Sequence, residues 1–141
     1  MNFKRLLLTI VAAFVFIFAT DYLIHGVWLK PDYEASKELW RSEAEMGTHF
    51  HWMLIAQLIV AIAFVTIWAL GFAPSGSLGM ACGYGLLIGL IVQATTLITY
   101  VVSPLPASLA VKWFVSGIVQ SVLLALLVAL IYKPAQQHPL A

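Results

Sequence analysis

The chain has 141 residues, a charged fraction of 9%, a hydrophobic fraction of 62% and a formal net charge of +1; its mean hydropathy is +0.98. Soluble domains carry about 25% charged residues, so these charges are too few to coat a water-exposed surface and the outer solvent must be lipid. The near-neutral balance argues against a nucleic-acid partner, which needs a basic face to displace counterions from phosphates.

The length fits one domain, 1–141. A first span is predicted at about 3–28, enough at 1.5 Å per residue to cross a ~30 Å hydrocarbon core. Met1 to Arg5 is a basic start like that of a secretory signal, but no small-x-small cleavage site precedes Asp21, so the segment reads as an uncleaved span. Lys30-Pro31 is expected to end it.

The segment from Asp32 to Gly47 is the one extended polar stretch. Asp32 is a plausible N-cap, and Leu39, Trp40, Glu43, Ala44 and Met46 are spaced to make one side of a short helix apolar. This helix either lies at headgroup level or forms the first turns of span two; packing back over the mouth of the bundle is the favoured arrangement.

Span two is predicted at about 49–70, stopped by Gly71 with Pro74 beyond. Span three, about 78–102, carries two small-xxx-small pairs, Gly79/Gly83 and Gly85/Gly89, that either pack within the bundle or accept a membrane-protein partner or a second copy of the chain. Its cysteine, Cys82, is expected to be an inert buried packing residue. Pro104 and Pro106 break the helix before span four, about 107–132, which Lys133-Pro134 ends. The expected fold is an all-α four-helix transmembrane bundle with a short amphipathic helix between spans one and two. A weak loop-charge balance orients it as an integral protein of a bacterial inner membrane with cytoplasmic termini.

Antiparallel spans let depth be read from position. Asp21, His25, His49, His51, Gln57, Gln93, Thr96, Thr99, Tyr100, Lys112 and Ser116 all fall in the half of the membrane nearest the 30–48 loop. That loop region, Asp21 to Trp52, holds all six acidic residues and three of the four histidines. An ionisable group within a span costs several kcal/mol unless paired or hydrated, so an Asp21–Lys112 ion pair or a water-bridged equivalent is predicted, with Gln57, Gln93 and Tyr100 as further ligand-facing groups.

Asp21 and His25 share a helix face at i, i+4, as do Glu45 and His49. Together with His51 they supply donors for a transition metal (Zn, Fe or Cu) or axial ligands for haem. Other readings stay open: interfacial histidines bonded to water and headgroups, or a proton-coupled or organic-ligand site. Trp28, Tyr33, Trp40, Trp52, Tyr100 and Trp113 gather at the same mouth, as an interfacial belt or as the wall of a pocket for a flat ligand. No nucleophile–base pair stands out, which leaves an enzyme less favoured than a ligand-binding membrane protein or an accessory subunit of a larger complex.

The pattern D-x-x-x-H-G followed by K-P-D-Y-x-x-x-x-x-L-W-R-x-E-x-E-M, over the first fifty residues, resembles a family of small, uncharacterised four-span bacterial membrane proteins. The resemblance implies the four-span layout and no activity.

Overall fold

The computed structural model describes residues 2–73 and 76–132, and every regular element among them is helical. The elements are α1 (Phe3–Asp21), a π-helical continuation over Tyr22–Trp28, α2 (Lys30–Ala35), a 3₁₀ turn over Lys37–Leu39, α3 (Glu43–Gly71), α4 (Leu78–Val102) and α5 (Ala107–Ile131). Four helical stretches are long and apolar enough to cross a membrane: Phe3–Trp28, Glu43–Gly71, Leu78–Val102 and Ala107–Ile131. The expected stops at Pro74 and Lys133-Pro134 lie outside the described residues.

Three of the four spans begin and end within a residue of the positions read from sequence. Span two begins six residues earlier than the predicted 49, for a local reason. Ser42 accepts the Glu45 backbone N–H while the Glu45 carboxylate accepts from the Ser42 N–H at 3.0 Å and its hydroxyl at 2.8 Å. This reciprocal cap satisfies donors that would otherwise be orphaned at a helix start, and it draws Glu43 to Thr48 into α3.

The amphipathic helix expected over 32–47 is therefore split. Its first part is the short α2, with Pro31 in the first turn where its missing N–H costs nothing. Its second part has become the beginning of α3, and extended backbone at Trp40 separates them. Asp32 lies in the first turn of α2 rather than at its N-cap, which is Leu29.

The helices pack α4 along α5, α5 against α1, and α1 against α3. Small residues set the first of these approaches. A Cβ at Gly85 would lie 2.6 Å from the Ser121 carbonyl oxygen and 2.7 Å from the Val122 Cα, and one at Gly89 3.1 Å from the Ile118 Cα. The Gly85/Gly89 pair is thus the α4 half of an intramolecular seam. Gly79 and Gly83 meet nothing within 4 Å, and Cys82 is exposed beside them rather than buried.

The dry core lies toward the end of the bundle away from the 30–48 segment. Phe64, Trp68 and Phe72 of the α3 side interleave with Tyr84 of α4, with ring centroids 4.7, 5.6 and 5.0 Å from the tyrosine. The Tyr84 hydroxyl donates to the Phe64 carbonyl at 2.6 Å, which ties α3 to α4. Ala13, Ile17, Ala61, Leu124, Ala125 and Val128 extend this core toward the middle. The lipid-facing surface is leucine, isoleucine and valine: Leu70, Ile91, Ile98, Val101 and Leu130 are all more than 60% exposed. Such area is stable only against hydrocarbon.

Candidate functional site

At the other end the packing loosens and polar side chains take over. The first span leaves α-geometry immediately after Asp21, and π turns of this kind bulge a helix and recur at functional sites. The half-buried Asp21 carboxylate accepts from Gln57 Nε2 of α3 at 2.7 Å through one oxygen and from Gln120 Nε2 of α5 at 2.7 Å through the other. Gln120 Nε2 also reaches Thr20 Oγ1 at 2.7 Å. Two amides from two helices thus hold one in-span carboxylate.

Lys112 is not its partner. The predicted Asp21–Lys112 pair is replaced by a bidentate Lys112–Asp32 pair, with Nζ to Oδ1 2.7 Å and Nζ to Oδ2 2.8 Å. The cause is the fold-back of α2, which brings Asp32 over the start of α5 at a depth where solvent still reaches both groups. Among the described residues no Lys, Arg or His nitrogen lies within 4.0 Å of the Asp21 carboxylate. Lys112 also stands 5.9 Å from the centroid of Trp28.

Tyr33 of α2 is the centre of the mouth. Its ring lies 5.3 Å from that of Trp40, 6.3 Å from Trp113 and 6.1 Å from His25. Trp113 Nε1 donates to the Tyr33 hydroxyl at 2.8 Å, and that hydroxyl is 2.6 Å from His25 Nδ1. An indole N–H can only donate, so the phenol oxygen accepts from it and its own proton is available to His25. Burial, with a smaller push from the Asp32 charge, raises the Tyr33 hydroxyl to about 12, the Trp113 hydrogen bond opposing this in part. Tyr33 therefore stays a protonated donor at neutral pH. Trp40 Nε1 in turn donates to Ser36 Oγ at 3.1 Å, and Ser36, 2% exposed, bonds back to the Asp32 carbonyl at 2.8 Å. The segment over the mouth is thus pinned by one charge pair, the Trp113 indole hydrogen bond, the Tyr33–His25 hydrogen bond and ring contacts.

Beneath it lies a cleft of about 280 Å³ between α1, α4 and α5. Asp21 and His25 face Gln93 and Thr96 of α4 across it, with Trp113, Ser116 and Gln120 of α5 completing the wall. Gly117 supplies the space for Gln93, whose amide occupies the position a Cβ would take. Thr96 Oγ1 donates to Gln93 Oε1 at 2.8 Å, which fixes that amide.

The proposed metal donors are not assembled: among the described residues no group of three or more His, Cys, Asp or Glu is placed to hold an ion. Glu45 is occupied as the α3 cap. His49 has its two ring nitrogens engaged, Nε2 at 2.9 Å from Arg41 Nη1 and Nδ1 at 2.8 Å from the Glu45 carbonyl. His51 lies with its ring tilted against that of Trp52, centroids 5.3 Å apart. Both are exposed on the outer turn of α3, on a different element from His25. Tyr100 is 43% exposed and outside the cleft. Of the residues singled out from sequence, the structure brings Asp21, His25, Gln93, Thr96, Trp113 and Ser116 to one cleft, and Gln57 to Asp21 from α3.

Gln120 and Asp32 complete the arrangement and are not among the site residues read from sequence, whereas Tyr33 is one of the aromatics read there as belt or pocket wall. Gln120 had a signal: it continues the Lys112, Ser116 row at i, i+4, i+8, which is one helix stripe.

If the Asp32–Lys112 pair pins the mouth, Lys112→Met and Asp32→Asn should each lower stability by about 1 kcal/mol and the double variant by less than their sum. A double-mutant cycle on detergent-solubilised protein measures this; strict additivity would show that the charge pair does not hold α2, leaving the hydrogen bonds and ring contacts of Tyr33. Comparison of the chain with family models, with curated proteins and with solved structures returns no match.

Proposed function

We propose that this small integral membrane protein binds a cationic, hydrogen-bond-donating ligand of the primary amine class in the cleft above Asp21. One observation carries the reading. Asp21 is a carboxylate inside a span, satisfied by two neutral amides and with no Lys, Arg or His nitrogen within 4.0 Å among the described residues. In-span charge is costly and is retained where it meets an ion, a proton or a substrate. The amides orient the carboxylate without neutralising it, and each of its oxygens keeps capacity for another donor. An ammonium group supplies both the missing charge and the donors.

The surroundings support the same class. His25, Gln93, Thr96 and Ser116 offer polar contacts on the cleft wall, and the Trp113 ring offers a face for a cation. With the termini on the cytoplasmic side of a bacterial inner membrane, the mouth opens to the exterior.

The test is calorimetric titration of the protein in lipid nanodiscs with ethylammonium. Binding is expected in the natural sequence, with a loss of about tenfold or more in Asp21→Asn, the order expected for removing a hydrogen bond to a charged partner. No saturable heat, or equal heat in both proteins, overturns the reading.

A second reading, an accessory subunit of a larger membrane complex, is favoured by the uncovered Gly79, Gly83 and Cys82 surface of α4. It requires a companion polypeptide to copurify with the natural chain and to be lost on enlarging Gly83.

A further inference from the structure

The Asp21 carboxylate is shared by two cavities. On its other side, between α1 and α3, lies a groove of about 430 Å³ walled by Phe18, Tyr22, Gly26, Phe50, Met53 and Gln57, with Asp21 and His25 at its polar end. Apart from those two and Gln57 the walls are apolar or aromatic. Phe50, Met53 and Tyr22 are 46%, 42% and 63% exposed, so the groove opens sideways toward lipid. Phe18 and Phe50 form its deep edge, in a perpendicular ring contact of 6.5 Å.

Resting on the amine-binding reading above, we infer that the ligand is an amphiphile: a primary ammonium head on Asp21 and a single hydrocarbon chain lying in the groove between α1 and α3. Three features argue for this occupant. The polar cleft and the apolar groove meet at the same two residues, so a molecule anchored at Asp21 enters both. Their combined space falls in the range of roughly 300–1,000 Å³ typical of small-molecule sites, whereas the cleft alone lies just below it.

The third feature is Gln57. It is 6% exposed, spends Nε2 on Asp21, and leaves Oε1 buried without a hydrogen-bond partner. A buried acceptor without a donor costs about 1–3 kcal/mol. A primary ammonium has three N–H groups, enough to reach the carboxylate and this amide together; a quaternary ammonium has none.

The experiment uses dodecylamine carrying a photoactivatable diazirine in mid-chain, irradiated with the full-length protein in nanodiscs and mapped by peptide mass spectrometry. Label is expected to concentrate on residues 18–26 and 50–57, to be competed by plain dodecylamine, and to fall about tenfold or more in Asp21→Asn. A trimethylammonium analogue should label these segments no more than the rest of the surface. Label spread evenly over the outward faces of all four spans, or equal labelling by the quaternary analogue, overturns the inference. If ethylammonium binds while the long-chain probe labels diffusely, only the chain's placement is wrong. If ethylammonium fails to bind, the amine reading itself falls.

Discussion

Gly85→Val is expected to separate α4 from α5 and to destabilise the protein by about 3 kcal/mol or more, whereas Gly83→Val, two residues away, changes stability by less than about 0.5 kcal/mol. The difference is geometric. At Gly85 even a single methyl meets backbone, the Ser121 carbonyl oxygen at 2.6 Å and the Val122 Cα at 2.7 Å, and backbone cannot rotate out of the way as a side chain can. At Gly83 nothing lies within 4 Å. Without a hydrophobic force between helices in lipid, close packing of this kind holds a bundle together, so the seam has no other term of similar size to fall back on. Thermal unfolding in detergent of the two variants side by side measures the contrast. Equal loss at the two positions would place the α4–α5 seam elsewhere.

The second large effect is at Asp21, and it depends on the replacement. Asparagine keeps one acceptor oxygen for a glutamine amide and removes the cost of an in-span charge, so Asp21→Asn should be at least as stable as the natural protein. Leucine leaves the Gln57 Nε2 donor with no acceptor, on a side chain whose Oε1 already lacks a partner. Gln120 is less affected because its amide still reaches Thr20. Leucine should therefore fall about 1–3 kcal/mol below asparagine. The ordering is read from denaturation midpoints in one detergent at one pH. Leucine matching asparagine would mean that Asp21 does not hold the two helices.

These two positions mark how far sequence carries. Span number and bounds follow from hydropathy and from the stops at Gly71 and Pro104, because a helix in lipid must satisfy its own backbone over the full thickness of the hydrocarbon. The concentration of polar groups in one half follows from antiparallel arithmetic, and Asp21, His25, Gln57 and Gln93 do lie near one another in the structure.

What depth alone does not give is lateral neighbourhood. Lys112 and Asp21 share a level, yet Lys112 is taken by Asp32, because α2 turns back over the mouth after the π segment. Nothing in the residues Tyr22–Trp28 announces a π ladder over an α one. Glu45 is the opposite case. Ser42-x-x-Glu45 is a legible capping box, and the helix start has a prior use for the Glu45 carboxylate that competes with its reading as a metal donor beside His49. Cys82, expected inside, lies on the surface: in a bundle this small most of each helix faces lipid, so a small residue need not be an interior one.

The aromatic plug of Phe64, Trp68, Phe72 and Tyr84 has an electrical consequence. It closes the bundle at one end while the Asp21 cleft lies toward the other, so the cation proposed for that carboxylate would enter from one compartment only. Asp21 precedes the seven-residue π segment that ends the span, which sets it about a third of the way through the hydrocarbon. A full crossing is worth about 2.3 kcal/mol per charge per 100 mV. A third of it is about 0.8 kcal/mol, roughly a fourfold change in occupancy, so for the proposed ammonium ligand the membrane voltage would itself set how often the site is filled.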